Sequence, residues 1–415
     1  MIRTNLRAMG TRGALLLVAG CSAAALFLFA CANDGGQAPE STPQDDGGAT
    51  VPGDVSRADD VLDGAADGNV EPGDAGDAGD SGDAGVEDPC TVDWCKTPLP
   101  IPDGGKLTLM GVWVPGPNDA WAVSEEGLVL RWNGTLWSVV WDAGKPLYGV
   151  WGDHEGALWA VGGQGSIFHA PGGTNWTAIP SGVTTDLMGI CEGARDAQHP
   201  RNISIVGSSG TVLQWNGDTG ADGKPSWTTS TPGASLQLHD IWCAGFDVWV
   251  SGYSGAAPYG GALFLGSSAG WMRQRVINGE ELSSEDYQWG QTFSSVWAYD
   301  RQNVWTRGDV GITRGTASLA DPALKWSRER SVIASNNVKR ASDIWGTGPN
   351  DVWFVSTLGR IHHWNGSSLA ITATTNTWDV LANNLHAVSG SGPDDVWVVG
   401  DNVALHRNVN WGPQK

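Results

Sequence analysis

The sequence predicts an all-β fold, and three observations carry that prediction. Seven segments after Cys90 begin alike, twenty of the 24 tryptophans recur at four fixed places within them, and no stretch keeps a helical period over three turns. The segments start at Leu109, Leu147, Leu187, Leu238, Phe293, Ala341 and Leu385, in forms such as Leu-Met-Gly-Val-Trp and Leu-His-Asp-Ile-Trp. The starts lie 38, 40, 51, 55, 48 and 44 residues apart. A repeat of about 40–50 residues with short strands is the mark of four-stranded blades set around a ring. A seven-bladed β-propeller is therefore expected over residues 90–415, preceded by a disordered acidic linker; six or eight blades fit the starts less well.

The chain opens with Arg3, Arg7 and Arg12 and then an apolar run of 17 residues, Ala14 to Ala30. That is the profile of a signal peptide over residues 1–30. The run ends at Cys31 without basic stop-transfer residues, which argues against a retained membrane span. Two cysteines resemble the bacterial lipobox, in which a small residue precedes the lipidated cysteine. Val18-Ala19-Gly20-Cys21 matches its residue types better, but cleavage there would leave Leu26 to Phe29 exposed at the mature terminus. Lipid at Cys31 places the cut where apolar sequence ends, and leaves an even four cysteines in an oxidising compartment. Cys31 is the expected lipidation site, with Cys21 the alternative.

Residues 31–89 are built of Asp, Gly, Ala and Pro and cannot bury a core. Of the formal charge of −21, this linker carries −15 and the signal +3, which leaves −9 on residues 90–415. The acidity is thus mostly that of a solvated tether. An r.m.s. reach of roughly 40 Å for such a Gly-rich chain lifts the domain off a membrane. Its Asp-Ala-Gly run lacks the alternating oxygen ligands and closing Glu of a calcium loop. Nucleic acid is not an expected partner, since the folded part is net negative and has no basic cluster.

Within a segment the order is strand, turn, strand, turn. In the sixth, Gly348-Pro349-Asn350-Asp351 is a turn, Val352 to Val355 a strand, Leu358-Gly359 a turn, and Arg360 to Trp364 a strand closed by Asn365-Gly366. Pro-Asn-Asp and Asn-Gly supply the dihedrals that tight turns need. The tryptophans then form one column per strand. The first holds Trp113, Trp151, Trp242, Trp297 and Trp345, and the second Trp121, Trp159, Trp249, Trp305, Trp353 and Trp397. The third holds Trp132, Trp215 and Trp364; the fourth holds Trp137, Trp176, Trp227, Trp271, Trp326 and Trp411. Large planar rings recurring once per repeat suit the flat interface between blades, so all are expected to be core. The last segment ends too early for an outer strand, whereas Trp94 to Pro100 precede Leu109 much as Trp176 to Pro180 precede Leu187. The N-terminal piece is expected to supply that strand and close the ring.

The pattern Asp-Val-Trp-x-Val-Gly-x-x-Gly-x-Ile-x-His-Trp-Asn-Gly-x-x-Trp, clearest at Asp351 to Leu369 and Ala120 to Trp137, resembles tryptophan-rich propeller repeats of myxobacterial lipoproteins. It is more distantly similar to the propellers of photosystem II assembly factors and to tectonin-type lectins. The resemblance implies binding or assembly work, and the residues that carry it are structural, so it assigns no functional residue.

No catalytic constellation emerges. The sequence has no Gly-x-Ser-x-Gly, no His-Glu-x-x-His and no paired cysteines spaced for zinc, so neither an enzyme, a metal nor a cofactor is expected. His169, His363 and His406 share a third-strand position with Arg131 and Gln214, which reads as polar packing, while His239 and His386 share a first-strand position facing the channel. Cys90 and Cys95 can close a small loop, and Cys191 and Cys243, on first strands of successive blades, can bridge them.

The binding face of a propeller carries the loops between second and third strands and between blades. The fourth segment lengthens both, and these insertions hold Tyr253, Tyr259, Tyr287 and Trp289 with Glu280, Glu281, Glu285 and Asp286. Tyr253, Tyr259, Glu280, Glu281, Tyr287 and Trp289 are the candidate ligand residues, since aromatics beside acceptors suit carbohydrate stacking or a protein hot spot. The alternative is that they merely pack the insertions. The expectation is a monomeric cell-envelope lipoprotein, at the outer membrane or cell surface, held by lipid alone. Its expected partner is a surface glycan, as a glycan-binding or adhesion module, or an envelope protein, as an assembly scaffold.

Overall fold

The computed structural model describes residues 90–408 apart from 92, 102–103, 198, 256–259, 268–269, 275, 277–291, 309–310, 331–342 and 373–380. They form seven four-stranded antiparallel sheets, the seven predicted blades. The inner strands are Leu109–Gly116, Leu147–Gly152, Leu187–Glu192, Leu236–Ala244, Phe293–Asp300, Ile344–Gly348 and Leu385–Gly392. Seven apolar clusters fill the seams, one between each pair of neighbouring blades. A blade covered on both faces needs apolar residues on both, so its second strand reads as a continuous run. Ala120-Trp121-Ala122-Val123 in Asp119–Ser124 is such a run, and all four are buried.

The Asn-Gly turns behave as read. Asn133 Oδ1 accepts the Thr135 and Leu136 N–H groups at 3.0 Å, and Asn365 Oδ1 those of Ser367 and Ser368 at 3.0 Å. Gly134 and Gly366 follow at φ 96° and 92°, a region that favours glycine.

The N-terminal piece closes the ring. Cys95–Lys96 pairs with His406 and Leu405 as the outer strand of blade 7, whose other three strands come from the far end of the chain. Trp94, 1% exposed, inserts between blades 6 and 7, edge-on to Trp353 at 5.5 Å, with its Nε1–H donating to Thr372 Oγ1 at 2.9 Å. Trp94 thus stands at the outer-strand position of blade 7, as its likeness to Trp176 implied, and Trp411 of the fourth column lies outside the described residues. A Cys90–Cys95 disulfide fixes the approach to this strand.

The second-strand column is core as expected, all six rings being buried. A polar partner stacks on several of them. His363 lies parallel to Trp353 at 3.9 Å and His406 to Trp397 at 4.0 Å, each with Nε2 donating to the aspartate that opens the second strand, Asp351 at 2.6 Å and Asp395 at 2.7 Å. Arg131 does the same over Trp121 with Asp119 at 2.8 Å. These side chains are structural, as their column implied. The first-strand column packs into the seams as expected and has a second role. Trp297 is buried, while Trp113, Trp151, Trp242 and Trp345 pack against the seam clusters and, half-buried, also line the central channel, because their strand is the one that faces it.

Candidate ligand site in the central channel

In six of the seven inner strands a buried apolar residue is followed by a bulge. The register with the second strand shifts between Leu109 and Gly111, Leu147 and Gly149, Leu187 and Gly189, Leu238 and Asp240, Phe293 and Ser295, and Leu385 and Ala387. A bulge sets two residues opposite one, so consecutive side chains can point the same way. In this ring the second residue of the repeat, Met110, Tyr148, Met188, His239, Ser294 or His386, lines the channel in each of these blades. The third residue lines it too at Gly111, Gly149, Gly189, Asp240 and Ala387, and in blade 6 at Asp343. The cavity they enclose measures about 1190 Å³.

Its mouth lies on the predicted binding face, since Glu125, Ser208 and Asp401 from loops after second strands line it. Of the candidate ligand residues, Tyr253 is placed here, stacked on His239 at 5.4 Å. Tyr259, Glu280, Glu281, Tyr287 and Trp289 lie outside the described residues, as do Cys21 and Cys31. His239 and His386 both line the channel, as their shared position suggested. Among the described residues no group of three or more His, Cys, Asp or Glu side chains is arranged to hold a metal ion.

The wall is acidic: Glu125, Asp186, Asp240, Asp343 and Asp401 face it against Lys106 and Arg307. Asp401 accepts hydrogen bonds from His386 Nε2 and Asn384 Nδ2, both at 2.9 Å. Burial would raise its pKa, but these bonds and the charges of His386 and Lys106 outweigh it and hold the carboxyl below its ordinary value. Asp240 and Asp343 behave oppositely. Burial, only partly offset by hydrogen bonds from backbone N–H groups and Ser295, pushes Asp240 up to about 6. Burial and the charge of Asp240 raise Asp343 well above the carboxylate range. Enclosure likewise lowers the pKa of His239, which disfavours its charged form.

Sequence reading missed Asp240, Asp343 and Tyr148 as channel residues. The signal was available: Asp240 and Asp343 occupy the third place of the repeat, where blades 1–3 have glycine.

Both cysteine pairs are bridged as expected. Cys191 and Cys243 join the inner strands of blades 3 and 4 across a Cα separation of 5.7 Å. Blade 3 is where the tryptophan pattern fails, since Cys191 there pairs with Ser204 in the register that sets Trp151 against Trp159 and Trp242 against Trp249.

Neither a family model nor a curated protein matches this sequence. Solved structures do match its fold. YCF48 bound to D1 peptide is 14% identical with a TM-score of 0.54, over 76% of this chain and 97% of that one. YCF48 from Cyanidioschyzon merolae is 14% identical at 0.53, over 76% and 98%. The extracellular domain of the one-component system BT4673 from B. thetaiotaomicron is 12% identical at 0.54, over 76% of this chain and 39% of that one. At such identities the likeness is one of architecture, and by it this chain is a β-propeller.

Proposed function

We propose that this protein is an exported, lipid-anchored envelope protein whose propeller binds a ligand at the cell surface through the face onto which the channel opens. One observation carries the reading: channel-facing side chains from all seven inner strands, with Tyr253, converge on a single cavity of about 1190 Å³. Ligand sites are concave and mostly apolar with a few polar groups, and this cavity joins tryptophan, tyrosine and methionine to carboxylates. The signal, the lipid at Cys31 and the acidic tether of residues 31–89 supply export, anchorage and reach. Binding rather than catalysis is favoured because the polar groups of the wall also hold neighbouring blades together.

The first ligand class is a surface glycan, stacked on Tyr253 and on Tyr259, Tyr287 and Trp289 of the blade-4 insertions, with Glu280 and Glu281 as acceptors. The second is an envelope protein that the propeller scaffolds, and the similarity to a propeller solved with a peptide favours it. A glycan array probed with the full chain in detergent, beside cross-linking and recovery of partners, separates the two. Glycan binding that falls about tenfold or more in Tyr253→Ala and in the Tyr287→Ala, Trp289→Ala double variant selects the first. One stoichiometric protein partner selects the second, and no ligand of either kind refutes both.

A further inference from the structure

The four carboxylate oxygens of Asp240 and Asp343 each accept one neutral backbone N–H. Asp240 takes Ile241 at 2.8 Å and Val296 at 2.9 Å; Asp343 takes Ile344 at 2.8 Å and Val388 at 3.0 Å. A carboxylate oxygen has room for a second donor, and of the two acids only Asp240 has one at hand, the Ser295 hydroxyl. Neither aspartate has an ion-pair partner among the described residues. The two cations that reach the same cavity are engaged elsewhere: Lys106 pairs with Glu125 at 3.9 Å, and Arg307 Nη1 donates to the Val355 carbonyl at 2.8 Å. No described cation compensates either carboxylate, and burial therefore raises the pKa of both.

An independent observation calls for a hydrogen-bonding partner in the same cavity. The His386 side chain is 6% exposed, its Nε2 bonds to Asp401, and its Nδ1 is buried without a partner. The fold thus leaves one polar atom of this ring unused. The half-buried rings of Trp113, Trp151, Trp242, Trp345 and Tyr148 line the same channel, and aromatic faces attract cations.

We propose that this wall binds the protonated amine or guanidinium group of a basic side chain on a protein ligand. The proposal rests on the reading of the channel face as the ligand face. Asp240 follows His239 within its strand and Asp343 immediately precedes Ile344–Gly348, so both stand one place further into the repeat than the second-position residues. A charge at the end of a flexible side chain reaches that depth, whereas the amine of a sugar sits directly on its ring.

Calorimetric titration of the full chain with n-butylguanidinium and n-butylammonium tests the site, with n-butanol, n-butyrate and glucosamine as the other arms. The two alkyl cations should bind saturably and the neutral and anionic analogues should not. Asp240→Asn should weaken cation binding roughly thirtyfold, as loss of one partner of an enclosed charge pair does, and Asp343→Asn, whose carboxyl holds its proton more tightly, should weaken it less. Binding should fade between pH 7.5 and pH 5 as Asp240, with its pKa of about 6, takes up a proton. Ser294→Lys keeps both acids but tethers an ammonium to the channel wall, and it should abolish probe binding while the protein melts as wild type. Butanol binding as well as the cations, or unchanged affinity in the Asn and Lys variants, overturns the site. Glucosamine binding in preference to the alkyl cations overturns the side-chain ligand in favour of an amino sugar. A protein partner that is recovered but not displaced by butylguanidinium refutes this proposal and leaves the ligand face standing. Cation binding with no macromolecular ligand recovered refutes the functional reading and, with it, the protein ligand.

Discussion

The third place of the repeat is glycine at the inner-strand bulge of blades 1–3, and aspartate at the bulge of blade 4 and just before the inner strand of blade 6. A Cβ at Gly111 would meet the Tyr148 carbonyl of blade 2 at 3.1 Å, and one at Gly189 would meet the Ile241 side chain of blade 4 at 3.0 Å. These blades dock by close approach of their backbones. Asp240 and Asp343 instead reach across to the Val296 and Val388 N–H groups of the following blade. Both devices hold one inner strand to the next, but only the second leaves charge on the channel wall. Docking chemistry and ligand chemistry are thus set at one position of the repeat. The two arcs meet at two seams, and each has its own fastening: the Cys191–Cys243 bridge between blades 3 and 4, and the closing strand with its Cys90–Cys95 loop in blade 7 beside blade 1.

Breaking the seam at blade 7 should have the largest effect. Deleting residues 90–106 removes the outer strand and Trp94, together with Leu99 and Ile101, which pack at the blade 7 to blade 1 seam. Three large apolar side chains account for roughly 5 kcal/mol or more of burial, and the exposed edge of Val403–Asn408 invites pairing between copies. Loss of a cooperative melt and the appearance of oligomers on size exclusion are expected. A truncated domain that melts cooperatively at the original temperature and stays monomeric would show that the ring does not depend on this strand.

The seam between blades 3 and 4 comes next. The bridge joins cysteines 52 residues apart, and closing a loop of that length stabilises by at most about 4 kcal/mol on the chain-entropy model. Cys191→Ala with Cys243→Ala should therefore lose about 2–4 kcal/mol in denaturant titration. Cys90→Ala with Cys95→Ala, which opens a loop of separation 5, should lose less. Equal losses in the two double variants would mean that loop length does not govern these bridges.

How far the sequence reveals these features depends on whether they repeat. Blade number, the second-strand core, both disulfides and the ring closure were legible, because each is a periodic signal or a visible break in one. The first-strand tryptophans were legible as seam residues but not as channel lining, because ring size and spacing are the same whether or not an edge of the ring meets the channel. The acidity of the channel was hidden because Asp240 and Asp343 differ from Gly111 by side chain and not by pattern, and the bulge that brings Asp240 to the wall is not written in the spacing.

The smallest effect tests the aspartate arc alone. Asp240 has a folded pKa near 6, above the roughly 3.9 of an unfolded aspartate, so the folded state holds its proton more tightly. That contribution to stability is fully present below about pH 4 and is lost as pH rises through about 6. His239 and His169, whose pKa values are lowered by enclosure, act in the opposite direction over an overlapping window, so the pH profile of the wild type alone does not isolate the aspartate. The difference between Asp240→Asn and wild type does, since both share the histidines. Asparagine cannot ionise, and its removal of charge also relieves Asp343. Whatever the variant loses at its hydrogen bond to Val296 is largely independent of pH. Its stability relative to wild type should therefore improve by about 2 kcal/mol between pH 4.5 and 7.5, read from denaturant titrations at each pH. A constant difference across that range would mean that the Asp240 carboxylate is already compensated in the folded ring, and the contrast between the two arcs would then be one of shape and not of charge.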